Sequence, residues 1–138
     1  MTFEQWLPSV PASMTRDPIW KRADYRLATY AGDVAWPDAV LLGKHPATVS
    51  VADQLFRSVG SIGAHIAEGY SRGSGADRIR YYEYALGSAR EAREWYWKSR
   101  GVLGGEIVDA RMDALQQIAR LLLTAIKAER KTSSRPLR

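Results

Sequence analysis

One stretch, residues 58–88, constrains the fold more than any other part of this chain. It reads SVGSIGAHIAEGYSRGSGADRIRYYEYALGS. Val59, Ile62 and Ile66 recur at the spacing of one helical face, and the Gly-Ser-Gly run at 73–75 interrupts the pattern before a second helix. The stretch therefore predicts the end of one helix, a tight turn and the start of a helix that packs back against the first.

Residues with little or no side chain occur on both predicted helices of this pair. They are Gly60, Gly63 and Ala64 on the first helix and Ala85, Ser88 and Ala89 on the second. The two glycines lower helix propensity, but all six residues let two helices approach closely. We predict a tight seam between the two helices, which a larger side chain at Gly63 would force apart.

Another helix is predicted on each side of this pair. The earlier helix begins at Asp17-Pro18, a strong N-cap followed by a proline that suits the first turn, and it ends at Gly32 or Asp33. The later helix runs from about Glu106 to Arg130. Its apolar face consists of Ile107 or Val108, Met112, Leu115, Ile118, Leu122 and Ile126.

The fold predicted from these elements is all-α, an antiparallel up-down four-helix bundle. We place the bundle at residues 17–131, a short N-terminal extension at residues 1–16 and a disordered basic tail at residues 132–138. In the extension, Thr2 to Gln5 resembles a capping box for one short helical turn. Residues 33–47 are predicted to form a long connection between the first and second helices. Its apolar residues, Trp36, Val40, Leu41 and Leu42, are expected to cover one end of the bundle.

The third predicted helix carries aromatic and small residues over a wide arc. The arc spans roughly 200°, against about 100° for a helix that is half-buried in a monomer. Tyr82, Trp95, Tyr96 and Trp97 are the largest residues on or beside it. Because the excess needs a further surface to bury it, we predict self-association with these four residues at the interface. An aromatic-rich monomer core with one exposed ring is the alternative.

The central stretch also carries a motif. It consists of Ser61 to Gly69, read as SIGAHIAEG, followed by Arg72, the run Ala85-Leu86-Gly87-Ser88 and Glu91. In this motif the chain resembles the 23S rRNA intervening-sequence (S23-like) family of four-helix bundle proteins. It resembles, more distantly, the accessory variability proteins of diversity-generating retroelements. His65 stands where that family usually has Asn. We assign structural roles within the motif to Gly63, His65, Glu68, Gly69 and Ser88.

The resemblance implies an antiparallel bundle, a closed ring of five subunits and no established catalytic activity. It also implies partners, since the retroelement relatives are basic and bind nucleic acid and a reverse transcriptase. Two functions stay open. The first is an accessory factor that binds RNA or DNA and assists a reverse transcriptase. The second is a scaffold ring that presents a surface to another protein.

Positive charge is concentrated at the C-terminal end of the sequence. Residues 127–138 contain five basic side chains and one carboxylate, which gives them a net charge of +4 out of the chain's +5. Such a segment is either a solubilising tail or an arm that contacts phosphates. Arg78 to Tyr82 also interleaves basic and aromatic residues, as single-strand binders do. The predicted nucleic-acid contacts are Arg72, Arg78, Arg80, Lys127, Arg130, Lys131 and Arg135.

Other kinds of chemistry find little support in the sequence. There is no cysteine, which excludes disulfides, zinc thiolates and a thiol nucleophile. His65 and Glu68 share a helix face, but di-iron bundles use Glu-x-x-His motifs, the reverse order. We therefore predict no enzymatic activity, no metal and no cofactor. The sequence has neither a signal-peptide pattern at its start nor an apolar run of membrane-spanning length, so we expect a cytoplasmic protein.

Overall fold

A computed structural model describes residues 1–133, and this part of the chain contains helices and no strand. Seven α-helices occur in it. They are α1 (Phe3–Trp6), α2 (Ala12–Thr15), α3 (Ala23–Gly43), α4 (Val49–Tyr70), α5 (Gly75–Lys98), α6 (Arg100–Leu103) and α7 (Gly105–Ser133). Single 3₁₀ turns at Leu7–Ser9 and Pro18–Lys21 join the short N-terminal pieces.

The four long helices form the predicted bundle. Helix α4 packs against α3 and α5, and α7 packs against α5 and α3. Ser61 contacts Ser88 while Gly69 meets Tyr82, so the paired positions on α4 and α5 run in opposite directions along the chain. The all-α, antiparallel four-helix bundle expected from the sequence is confirmed.

Helical periodicity places the core correctly on α4 and α7. Eight of the apolar residues predicted to face inward are at most 3% exposed: Leu55, Val59, Ile62, Ile66, Leu115, Ile118, Leu122 and Ile126. Met112, predicted on the same face of α7, is half-buried. Of the two alternatives at the start of α7, Val108 is buried and Ile107 is half-buried. Ser74 caps α5 as its position suggests, because its hydroxyl accepts a hydrogen bond from the Asp77 amide at 3.2 Å.

Helix α3 corrects both predicted ends of the first long helix. Asp17 and Pro18 begin only the 3₁₀ turn, and the α-helix itself begins at Ala23. The helix does not stop at Gly32 or Asp33 but continues through Pro37 to Gly43. Pro37 lacks the N–H that would bind the Asp33 carbonyl, but both residues lie on the exposed side of the helix. The buried face continues past them at helical spacing, and packing against α4 and α7 outweighs the local signals.

Four apolar residues were predicted to cover one end of the bundle, and only Leu42 among them is buried, with no exposed surface. Trp36, Val40 and Leu41 are large and exposed. Their segment is helical rather than a folded-over connection, so they project sideways from α3. The Trp36 ring meets the edge of Phe56 on α4, with ring centroids 5.4 Å apart.

The tight seam lies at Gly69 and not at Gly63. A methyl group at Gly69 would lie 2.8 Å from Cε1 of Tyr82, which is closer than such atoms approach in proteins. At Gly63 the nearest atom would be Cβ of Ala28, at an ordinary 3.8 Å, and Ala28 belongs to α3 rather than α5. The predicted effect of a larger residue at Gly63 on the α4–α5 pair is therefore wrong.

Most of the wide arc on α5 is buried by the chain itself. Tyr82 and Tyr96 are each 1% exposed and belong to the core. The sequence prediction that they lie at an interface between copies is corrected, because α5 is covered by α4 on one side and α7 on the other. Trp95 is half-buried against the same core. Of the four predicted residues, only Trp97 is exposed.

The N-terminal segment docks on α3 through aromatic side chains. The expected capping box is present, with the Thr2 hydroxyl accepting from the Gln5 amide and the Gln5 side chain accepting from the Thr2 amide. Trp6 is buried, and its Nε1 donates to Oδ2 of Asp33 at 2.7 Å. At the other end of the chain, α7 includes Thr132 and Ser133. The rest of the predicted tail, with Arg135, lies outside the described residues.

Candidate nucleic-acid interface

The C-terminal half of α7 presents a row of basic side chains. Arg120, Lys127 and Lys131 are exposed and stand seven and four residues apart, so they follow one line along the helix. We call these three residues the basic stripe. Arg130 is exposed beside it. After Asp113, Glu129 is the sole acidic residue in the remaining sequence, and it forms an ion pair with a residue of α5.

Arg78 holds Glu129 in a two-point ion pair. Nε and Nη2 of Arg78 donate to the two carboxylate oxygens at 2.9 and 3.0 Å. This hydrogen bonding raises the pKa of Arg78 above its ordinary value. The pair joins α5 to α7 and neutralises the one carboxylate in the C-terminal half of α7. It also commits Arg78, a predicted nucleic-acid contact, to a protein partner. Arg130 approaches Glu83 at 3.3 Å, but both side chains are more than half exposed.

Arg72 and Arg80 lie on a different face, around the ring of Tyr81. Their guanidinium carbons are 4.8 and 5.4 Å from its centroid, and Nη2 of Arg72 donates to the Tyr81 hydroxyl at 2.9 Å. Arg80 also approaches Asp77 at 3.5 Å. The predicted contacts therefore fall into two groups. Lys127, Arg130 and Lys131 lie together on α7, whereas Arg72 and Arg80 lie where α4 and α5 meet.

Sequence reasoning missed Arg120. The available signal was its spacing, since Arg120 precedes Lys127 by two helical turns within the predicted fourth helix. The basic segment predicted at residues 127–138 therefore began too far towards the C-terminus.

The motif residues line a shallow groove between α4 and α5. A volume of about 510 Å³ is bounded by His65, Glu83, Tyr84, Gly87, Ser88 and Glu91. Beside it, the hydroxyl of Ser61 on α4 donates to the hydroxyl of Ser88 on α5 at 2.8 Å. Glu68 is exposed. Nδ1 of His65 is buried and makes no hydrogen bond to any described residue.

A buried polar network, which sequence reasoning also missed, joins α3, α5 and α7. Asp38 accepts from Nε of Arg111 at 2.7 Å and from the hydroxyl of Tyr96 at 2.8 Å. Burial raises the pKa of the Tyr96 phenol, and the negative charge of Asp38 raises it further. Burial alone would lower the pKa of Arg111, but the hydrogen bond and charge of Asp38 raise it. An acidic residue four positions from Val34 and Leu42, on the apolar face, was the available signal.

Comparison with known proteins decides the family. The model of the 23S rRNA-intervening sequence protein family matches residues 42–124, more than half of the chain. The chain belongs to that family. The match includes α4, α5 and their groove, which carry the motif that suggested the resemblance. No curated protein matches the chain.

A solved structure shares the fold of this 23S rRNA-intervening sequence protein family member. It is the crystal structure of a protein with unknown function from the S23 ribosomal protein family from Bacteroides thetaiotaomicron VPI-5482. The two chains superpose with a TM-score of 0.70 at 23% sequence identity, covering 76% of this chain and 99% of that one. At this identity the likeness concerns the fold alone.

The family match ends before the basic end of α7. Lys127, Arg130 and Lys131 follow its last residue, Thr124, and lie outside the match. Within residues 1–133, no three His, Cys, Asp or Glu side chains are grouped so that they could hold a metal ion. None of the helices in this described part is long and apolar enough to cross a membrane.

Proposed function

We propose that this family member is a non-enzymatic nucleic-acid-binding accessory protein that contacts phosphates through the C-terminal half of α7. The observation that carries the proposal is the basic stripe, Arg120, Lys127 and Lys131, which is exposed on a half-helix whose one acidic residue, Glu129, is paired with Arg78. Cationic side chains on a regular surface contact phosphates without reading base sequence. Because the family is described by an intervening sequence of 23S rRNA, RNA is the first probe.

The proposal extends to the setting in which the protein works. It would act in the cytoplasm as a homo-oligomer, for which five subunits is our suggestion from the family resemblance. A reverse transcriptase of a diversity-generating retroelement is the protein partner suggested by the more distant resemblance. A ring would repeat the basic stripe around an axis, so a chain with a formal net charge of +5 would offer several phosphate-binding surfaces at once.

Neutralising the stripe tests the proposal. We expect the double variant Arg120→Gln, Lys127→Gln to bind labelled single-stranded RNA more weakly than the wild type between about 50 and 200 mM salt. If each side chain meets one phosphate, the slope of log affinity against log salt should fall by about 1.4. Fluorescence anisotropy measures both quantities. Adding Arg130→Gln and Lys131→Gln should weaken binding further.

The matched control removes two charges from another part of the bundle. Lys44 and Arg57 are exposed near the connection between α3 and α4. We expect Lys44→Gln, Arg57→Gln to leave the salt slope unchanged. If both double variants lose the same RNA affinity, the loss follows from the change in net charge and not from the position of the stripe. A wild-type protein that binds no RNA or DNA at low salt would overturn the proposal.

A scaffold that assembles through an apolar surface is the second candidate. The α3–α4 face carries a shallow depression of about 240 Å³ lined by Trp36, Ala39, Val40, Ala52, Asp53 and Phe56. Trp36 is 63% exposed and Phe56 39% exposed, which is unusual for two large rings in contact. We propose that a second copy of the chain covers this surface, in place of the interface first predicted on α5.

Light scattering tests this assembly. We expect a wild-type mass several times the 15.4 kDa of one chain, and a mass near one chain for Trp36→Ser, Phe56→Ser. Leu41→Ser is the control, because Leu41 is 47% exposed but does not line the depression. A wild-type monomer at micromolar concentration would exclude the oligomer, and an oligomer in the double variant would exclude this surface.

A further inference from the structure

Trp97 is a large ring held at the surface near the C-terminal end of α5. It is 51% exposed. The guanidinium carbon of Arg100 lies 3.2 Å from the indole centroid, and Nη1 of Arg100 donates to the Trp97 carbonyl at 2.6 Å. The Arg100 side chain therefore covers one face of the ring and fixes its orientation. Since half of the side chain is still exposed, the other face and the outer edge must be open to solvent.

Two arginines precede Trp97 on the same side of α5. Arg90 and Arg93 stand seven and four residues before it, the spacing of one helical stripe. Neither makes an ion pair with another residue in the described part of the chain. Glu94 lies beside them, exposed and likewise without an ion pair there, and it offsets one of their charges. Arg90, Arg93 and Arg100 leave an excess of positive charge around the ring.

The register between α5 and α7 connects this cluster to the basic stripe. Arg78 meets Glu129 and Glu83 meets Arg130, in antiparallel helices. Continuing that register puts Arg90 level with Arg120. Trp97 lies two turns further along α5, so Arg120 lies between the level of Trp97 and Lys127. From the level of Trp97 to Lys127 the surface extends about 20 Å at 1.5 Å per residue. That length suits roughly six nucleotides at 3.4 Å each.

A second aromatic surface is less suited to receive a base. Tyr81 is half-buried, two guanidinium groups already lie near its ring, and Tyr84 meets it edge to face with centroids 5.6 Å apart. The groove that begins at the neighbouring Tyr84 is also lined by the carboxylates of Glu83 and Glu91. Trp97 therefore offers the more accessible ring.

We propose that the open face of Trp97 stacks on an unpaired base of a single-stranded nucleic acid, whose phosphates follow Arg90 and Arg93 towards Arg120. This inference rests on the proposed nucleic-acid-binding function and adds the class of ligand. Base stacking on an aromatic ring tolerates any sequence, whereas the bases of a duplex are already stacked on one another. The complex should therefore favour single strands without a strong sequence preference.

The test compares variants of Trp97 against three probes. The probes are a labelled oligouridylate of about 12 nucleotides, an abasic strand of the same length and a duplex. We expect Trp97→Ala to weaken oligouridylate binding about 5- to 150-fold, the range measured for loss of one stacked base. Trp97→Phe should restore most of the affinity. Trp97→Ala should not change the affinity for the abasic strand, which keeps the phosphates but has no base to stack.

Leu41→Ala is the control, because Leu41 is a large exposed apolar residue of α3 that does not line the depression proposed for assembly. It should bind all three probes as the wild type does. If the wild type binds the oligouridylate and Trp97→Ala binds it equally well, the stacking site is wrong and the proposed function stands. Equal losses of Trp97→Ala on the abasic strand and the oligouridylate would also overturn stacking. If the wild type binds none of the probes, both proposals fail.

Discussion

Replacing Asp38 by alanine is expected to lower the free energy of unfolding by about 3–5 kcal/mol. The reason is Arg111, whose side chain is 17% exposed and whose Nε and Nη2 both donate to the Asp38 carboxylate. Without that carboxylate, a largely buried guanidinium charge has no partner, and the Tyr96 hydroxyl loses its acceptor. Urea unfolding followed by circular dichroism measures the change.

An exposed ion pair provides the control for Asp38. Asp53 pairs with Arg57 at 3.1 Å, but its side chain is 66% exposed. Asp53→Ala should therefore cost less than about 1 kcal/mol. The double variant Asp38→Leu, Arg111→Met should recover most of the stability lost in Asp38→Ala, because both charges are removed together. If Asp38→Ala is as stable as Asp53→Ala, the buried network does not contribute to the fold as argued.

Gly69→Ala is expected to lower the free energy of unfolding by about 1–3 kcal/mol. The added methyl group would lie 2.8 Å from Cε1 and 3.0 Å from Cδ1 of Tyr82, a fully buried ring that cannot swing into solvent. It would also lie 3.0 Å from Cβ of Tyr81, which moves only with the α5 backbone. Helices α4 and α5 must therefore separate. Thermal melting of the variant measures the loss.

Alanine variants of two other glycines in α4 are the controls for Gly69→Ala. They show what an added methyl group does in the same helix where no close contact exists. A methyl group at Gly60 meets nothing within 4 Å, so Gly60→Ala should raise stability by up to about 1 kcal/mol through helix propensity. Gly63→Ala meets only Cβ of Ala28 at 3.8 Å and should not lower stability. A Gly69→Ala variant as stable as Gly60→Ala would contradict the close approach of α4 and α5.

The basic site was predictable in part because charge can be counted along a sequence. Lys127, Arg130 and Lys131 were expected and lie together on α7. Arg78 shows the limit of such counting, because its partner Glu129 is 51 residues away and nothing near Arg78 in sequence indicates the pair. The exposure of Trp97 was equally hidden, since its neighbours Trp95 and Tyr96 are equally aromatic and point elsewhere.

The sequence by itself determined that the chain folds as four antiparallel helices with apolar seams on α4 and α7. Those features follow from a spacing of 3.6 residues and from turn residues, which are local properties. Only the tertiary structure decided that α3 continues through Pro37, that Gly69 marks the tight seam and that Tyr82 and Tyr96 are core residues. Each of these depends on which distant segment packs alongside, and the free energy of that packing exceeds the local preferences that a sequence displays.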